Sequence, residues 1–132
     1  MITLLTLSFV VSSGVAFADQ FEDSIAAYDR GDYATAVRLM RPLAEQGNAQ
    51  AQNGLGAMYY NGKGVAQDFK EAVKWYRLAA AQGHKEAQLN LGVMYQLAQS
   101  VAQDFVRAHM WFNIAAAQGN ADAVRLADTI SD

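Results

Sequence analysis

The strongest constraint on this chain is that part of it is copied. Residues 48–84 nearly recur when shifted by 36 positions. Ala51 falls on Ala87, Leu55-Gly56 on Leu91-Gly92, and Met58-Tyr59 on Met94-Tyr95. The match continues from 65–69 to 101–105, both Val-Ala-Gln-Asp-Phe, from Trp75 to Trp111, and from 79–83 to 115–119. A fixed period of this length marks a stacked array. One unit is too small to bury its own apolar face, so its neighbours must cover it.

Each unit reads as two helices with their own start and stop signals. In the first, Ala51, Leu55, Met58 and Tyr59 share a face at the 3.6-residue period. Gly56 and Gly92 fall in mid-helix, where glycine costs about 1 kcal/mol relative to alanine, so their recurrence in register points to close helix–helix approach. The second helix opens at Asp68, an N-cap, and Glu71 three residues on is expected to complete a capping box. Asp32 and Asp104 repeat the cap without the glutamate. Its inward face is Phe69, Ala72, Trp75, Tyr76 and Ala79-Ala80, repeated as Phe105, Ala108, Trp111, Phe112 and Ala115-Ala116. Large rings set against alanines at fixed positions let neighbouring helices interlock. Gly47, Gly83 and Gly119 are expected to end the second helix in a left-handed cap, and Asn48, His84 and Asn120 to cap the next. An earlier pair, 21–30 and 33–46, has a turn about four residues shorter, as suits an atypical terminal unit.

The run Ala51-x-x-x-Leu55-Gly56-x-Met58-Tyr59, then Gly62-x-Gly64-Val65-x-x-Asp68, then Ala72-x-x-Trp75-Tyr76-x-x-Ala79-Ala80-x-x-Gly83 resembles the Sel1-like repeat, an extended relative of the tetratricopeptide repeat. The resemblance is close over 48–119 and looser over 33–47 and 121–130. It implies an all-α, right-handed solenoid of antiparallel helix pairs, about seven helices after a signal peptide, that acts as a scaffold for protein–protein contacts. The expected division is a signal peptide at 1–18, an atypical pair at 19–48, full repeats at 49–84 and 85–120, and a capping helix or incomplete repeat at 121–132. Two departures stand out. Gly62 and Gly64 become Ala98 and Ser100, so the loop 97–101 takes another path, through drift or through adaptation to a ligand. The register also ends inside a first helix, where Val124, Leu126, Ala127 and Ile130 either cap the array or leave an apolar edge.

Composition narrows the function classes. Net charge is −3, and the four lysines and six arginines are scattered, which argues against a nucleic-acid partner. With no cysteine, disulfides, thiolate metal sites and cysteine nucleophiles are excluded. Residues 1–18 carry no charged side chain, hold a short apolar core from Leu4 to Val11, and close on Ala16-Phe17-Ala18, a small-x-small cleavage site. The core is too short for a permanent bilayer span. A basic residue is missing at 1–3, which a start codon further upstream would explain; the alternative reading of the segment is a buried N-terminal helix. The expectation is a periplasmic or secreted protein, mature from Asp19, with no stable membrane insertion.

Catalytic signals are thin. His84 sits where the other units place a capping asparagine, and His109 replaces Val37 and Val73 on the second helix. No serine sits in a nucleophile elbow, no metal-ligand cluster is present, and Gly62-Lys63-Gly64 is too short for a phosphate loop. The reading is a non-enzymatic module without cofactor or metal. In tetratricopeptide-like arrays the concave surface is lined by first helices. Gln50, Asn53, Ala57 and Tyr60 project within an arc of about 80°, set apart from the packed face. Glu86, Leu89, Val93 and Gln96 continue the row in the next unit, followed by Asp122 and Arg125. This row suits a protein or peptide partner. An alternative is a cell-wall enzyme or small-ligand binder acting on a β-lactam or peptidoglycan fragment. Some cysteine-rich members of the family have been credited with β-lactam binding or hydrolysis, and this cysteine-free chain departs from them. A third reading is self-association through the C-terminal helix.

Overall fold

A computed structural model describes residues 18–97 and 103–131. The segment read as a signal peptide lies outside these residues except for Ala18, as does most of the glycine-free loop, 98–101. The described residues form seven helices and no strand. These are α1 (18–29), α2 (Tyr33–Glu45), α3 (Ala49–Asn61), α4 (Phe69–Ala81), α5 (Lys85–Gln96), α6 (Phe105–Ala117) and α7 (Ala121–Ser131). From α2 onward each helix packs chiefly on the next in the chain, so the molecule is an α-solenoid. α1, α3, α5 and α7 are first helices, and α2, α4 and α6 are second helices.

The stop-and-start signals work as the sequence suggests. After α2 the Gly47 N–H reaches the Ala44 carbonyl at 3.1 Å and the Asn48 N–H reaches that of Leu43 at 3.1 Å, with Gly47 at φ +99°. The same two bonds recur at Gly83/His84 and Gly119/Asn120. This paired closure satisfies carbonyls that the helix end leaves without partners, and the left-handed residue it needs favours glycine. The next residue then opens the next helix. Asn48 Oδ1 accepts from the Ala51 N–H at 2.9 Å, His84 Nδ1 from Ala87 at 3.3 Å, and Asn120 Oδ1 from Ala123 at 3.1 Å. Two residues therefore set the angle between consecutive units. His84 is a cap.

Within a unit, α3 and α4 meet where Gly56 faces the Tyr76 ring, and α5 and α6 meet where Gly92 faces Phe112. A methyl group on Gly56 would lie 2.8 Å from the Tyr76 ring, and one on Gly92 would lie 2.5 Å from the Phe112 ring. Both distances are far inside van der Waals contact. The core splits accordingly. Ala36, Met40, Leu43, Leu55, Met58 and Trp75 join the first units, and Val73, Tyr76, Leu91, Met94 and Phe112 join the later ones.

Two polar devices also recur at 36 residues. Gln52 Nε2 donates to the Ala44 carbonyl at 3.1 Å, while Gln82 Nε2 reaches Gln52 Oε1 at 2.8 Å and the Gly47 carbonyl at 2.9 Å. One unit later Gln88 donates to the Ala80 carbonyl at 3.2 Å and accepts from Gln118 at 2.6 Å. Gln52 and Gln88 are buried, so losing a partner would carry a desolvation cost of about 1–3 kcal/mol. The other device is an arginine from the second helix donating to a tyrosine hydroxyl of the next first helix. Arg41 reaches Tyr59 at 2.8 Å and Arg77 reaches Tyr95 at 2.8 Å.

Three local expectations change. Glu71 does not close a capping box on Asp68. The Asp68 N–H is bonded to the Tyr59 carbonyl at 2.9 Å, and Glu71 lies 3.8 Å from Lys74 instead. Asp68 itself caps α4 through Lys70 and Glu71 N–H groups. Phe105, expected inside, is 51% exposed. Its counterpart Phe69 rests against Tyr60, with ring centroids 5.2 Å apart, but the position facing Phe105 one unit later is Gln96. Trp111 is half-buried where Trp75 is buried.

The loop after α3 shows what its glycines do. At Gly64 φ is +75°, and a methyl there would stand 2.5 Å from the Tyr33 carbonyl oxygen. Lys63 beside it donates to the Tyr28 hydroxyl at 2.9 Å and lies over the Tyr28 and Tyr33 rings at 5.0 and 5.2 Å, tying the loop to the N-terminal pair.

The ring contact yields a test. Gly92→Ala should destabilise the protein by about 1–2 kcal/mol, because forcing a methyl into Phe112 outweighs the roughly 1 kcal/mol gained in helix propensity. A chemical-denaturation midpoint that rises would overturn the close-approach account.

Candidate functional site

The outward row on the first helices falls into three depressions, each between consecutive first helices. Between α1 and α3, a cavity of about 150 Å³ is lined by Ile25 and Tyr28 on one side and Gly54, Ala57 and Met58 on the other, with Met40 contributing from α2. Between α3 and α5, one of about 280 Å³ has Ala57, Tyr60 and Asn61 facing Asn90 and Val93, with Tyr76 reaching in from α4. Between α5 and α7, one of about 480 Å³ sets Leu89, Asn90 and Val93 against Asp122, Arg125, Leu126 and Thr129. Ala57 lines the first two, and Asn90 and Val93 line the last two, so the depressions form one furrow across the helices.

Six of the ten residues expected in the row line this furrow: Ala57, Tyr60, Leu89, Val93, Asp122 and Arg125. Asn53 stands beside it, accepting from Asn90 Nδ2 at 3.1 Å. Gln50 and Glu86 are exposed one turn further toward the helix starts, and Gln96 lies near the end of α5, where its carbonyl accepts from Gln103 at 3.1 Å. Asp122 and Arg125 form an ion pair with each other. The furrow's two charged side chains therefore largely cancel.

The expected row left out five residues that line the second and third depressions, and five that line the first, Ile25, Tyr28, Met40, Gly54 and Met58. Asn90 and Leu126 occupy one register, about 40° beyond the expected arc, an edge that borders the depressions between consecutive first helices. Asn61, about 20° beyond the arc, enters for the same reason, whereas Thr129 shares the register of Ala57 and Val93 inside the arc. Tyr76 belongs to the other helix and reaches the furrow because Gly56 has no side chain to block it. Burial, with a smaller contribution from Tyr60, pushes the Tyr76 phenol above its ordinary range, so it stays a neutral hydroxyl at physiological pH.

A different surface is apolar. Val106 and Met110 on α6 stand where α4 carries Lys70 and Lys74, and Val106 is 81% exposed. With Phe105, His109 and Ile130, Val106 borders a shallow cavity of about 300 Å³ between α6 and α7. Val124, 45% exposed, replaces the buried Gln52 and Gln88, so the glutamine chain has no further link on α7. Asp128 likewise stands exposed where Gly56 and Gly92 seat a ring. α7 thus lacks both devices by which the earlier first helices bind their partners.

Among the described residues no three His, Asp or Glu side chains are placed to hold a metal ion. No helix among them is long and apolar enough to cross a membrane. His109 is bonded to Asn113 at 3.2 Å on the α6 surface.

Comparison with curated proteins finds no match. Solved structures do match. A Sel1 repeat protein from Oxalobacter formigenes superposes with a TM-score of 0.78 at 33% identity, covering 81% of this chain and 44% of that one. A protective antigen present in uropathogenic Escherichia coli strains, displaying an SLR fold, gives 0.78 at 36% identity over 85% of this chain and 25% of its own length. The chain therefore spans less than half of either relative. Helicobacter pylori cysteine rich protein B shares the fold, with a TM-score of 0.67 at 18% identity over 84% of this chain and 94% of that one. The sequence model of the Sel1 repeat matches residues 25–48, 49–84 and 85–120. With three successive matches and the paired helices they describe, the chain belongs to the Sel1 repeat family.

Proposed function

We propose that this protein is a non-enzymatic interaction module that binds a protein segment in the furrow across α1, α3, α5 and α7, the concave face of the array. Sel1 repeats generally serve as protein–protein interaction scaffolds. The observation that carries the reading here is the continuity of the three depressions, linked by Ala57, Asn90 and Val93. Two of the three lie below the roughly 300–1,000 Å³ of small-molecule pockets. A row of small seats suits successive side chains of one chain better than a single compact ligand. Asn53, Asn61 and Asn90 add amide groups that can both donate and accept along a backbone. Peptides selected from a random displayed library should lose at least about fivefold in affinity to a Tyr60→Ala/Asn90→Ala protein, as expected when central contacts are truncated. Equal affinity for both proteins would reject the furrow.

The setting we propose is outside the cytoplasm. The uncharged apolar opening and the Ala16-Phe17-Ala18 site support it. Expression of the full chain in a Gram-negative host should yield periplasmic protein beginning at Asp19. Recovery of uncleaved cytoplasmic protein would count against export.

The α6 surface supports a second role, self-association. Apolar Val106 and Met110 in place of lysines remove the charges that keep an outer face solvated. Light scattering across a concentration series should show a mass increase that Val106→Lys/Met110→Lys abolishes. A monomer at every concentration would exclude it.

A further inference from the structure

We infer that the α6 surface is covered in solution by α1 of a second copy of this chain, whose acidic face seats on a basic patch shared by α4 and α6. The inference rests on self-association through the α6 surface and names what that surface meets. α1 carries four acidic residues and no basic one. At 100° per residue Asp29, Glu22, Asp19 and Asp23 fall within an arc of about 120°, on the side away from buried Ser24 and Ala27. All four are exposed, and among the described residues none of them forms an ion pair. Arg30, just past the helix, is held by Asp32 at 3.6 Å. Ile25, 40% exposed, stands at one edge of the arc. α1 thus presents a carboxylate face with an apolar border, and no cation of the described residues pairs with it.

The complement lies on the second helices. Lys70, Lys74 and Arg77 share the outer face of α4, and Arg107 stands exposed on α6. Tyr95 brings the two sets of cations together. Arg77 donates to its hydroxyl at 2.8 Å, and the Arg77 and Arg107 guanidiniums lie 5.9 and 5.8 Å from its ring centre. Glu71 answers Lys74 at 3.8 Å and Asp104 answers Arg107 at 3.4 Å, which leaves Lys70 and Arg77 without a carboxylate among the described residues. Where α4 has Lys70, Lys74 and Leu78, α6 has Val106, Met110 and Ile114, all exposed. A basic patch bordered by an apolar strip therefore faces outward, the counterpart of an acidic face bordered by Ile25. Charge selects between the ways two copies can meet. A two-fold contact of the α6 surface with itself would set the same patch on both sides and bring cations against cations. Docking of α1 joins two different surfaces and puts carboxylates there instead.

Light scattering on the full chain across a concentration series tests this with two charge reversals. Glu22→Lys/Asp23→Lys reverses the acidic face, and Lys70→Glu/Lys74→Glu reverses the basic patch. The unaltered protein should associate, and salt at about 0.5 M should weaken the association, since exposed charges are screened. Each reversal alone should raise the concentration at half-association at least about tenfold. Mixing the two reversed proteins should bring it back to within about threefold of the original, because the reversed α1 of one then meets the reversed patch of the other. Glu22→Gln/Asp23→Asn, which only removes charge, should weaken association about threefold. Far-UV circular dichroism melts on each variant separate loss of a contact from loss of fold. If both reversals leave association unchanged while Val106→Lys/Met110→Lys abolishes it, α1 is not the partner and self-association through α6 stands. Weakening by both reversals without recovery on mixing overturns the pairing of α1 with the patch. A monomer at every concentration overturns both readings, and capture of a labelled glutamate peptide by that monomer, lost in Lys70→Glu/Lys74→Glu, would assign the patch to a foreign acidic partner.

Discussion

An aromatic ring laid on a glycine holds each of the two full repeats together, and much else follows from that contact. Gly56 against Tyr76 and Gly92 against Phe112 bring the two helices of a unit closer than any side chain would permit. Glycine in a helix interior is unfavourable by about 1 kcal/mol, but the ring buried over it removes far more apolar surface from water than a methyl would. The close approach then leaves Ala72 and Ala108 fully buried in the core. It also gives the second helix access to the face of the first. Tyr76 reaches the furrow over Gly56, so one contact serves both stability and recognition.

Between units the coupling is different in kind. Gly47-Asn48, Gly83-His84 and Gly119-Asn120 end one helix and begin the next within two residues, which leaves little freedom in the angle of stacking. Buried Gln52 and Gln88 then bind the carbonyls and side chains of both flanking second helices. Apolar packing alone would tolerate a shifted stack, whereas a buried amide tolerates few geometries because an unmade bond is costly. The repeat thus uses nonpolar contact for cohesion and polar contact for register. The furrow benefits directly, since its spacing is the spacing of the units.

Toward the C-terminal side the repeat loses these devices one by one. Arg41 and Arg77 are followed by Asn113, which turns to His109. Gln52 and Gln88 give way to Val124, Gly56 and Gly92 to Asp128, and Lys70 and Lys74 to Val106 and Met110. The first change removes a bond from α6 to α7, the next two remove ways for α7 to receive a second helix, and the last removes charge from an outer face. Together they make α6 and α7 chemically unlike the units before them.

The repeat period, the helix pairs, the glycine-capped ends and the close approach at Gly56 and Gly92 could all be read from the sequence. Each depends on residues near one another in the chain or on a register that repeats, and local sterics and periodicity carry such information. His84 as a cap was legible for the same reason. The Asp68 capping box failed because a partner from α3, the Tyr59 carbonyl, took the N–H that Glu71 was expected to hold. Phe105 could not be placed from its own helix, since its burial depended on whether position 96 supplied a ring. The furrow was half legible. A single helix face contained Tyr60, Leu89 and Val93, but the walls are shared between helices 36 residues apart, so Asn90, Leu126 and Tyr76 came only with the packing. What the sequence determined by itself was the unit and its repetition, because these are set by short-range backbone and side-chain preferences. The tertiary structure alone decided which residues from different units face one another across the furrow, because that depends on the distance and angle at which whole helices pack.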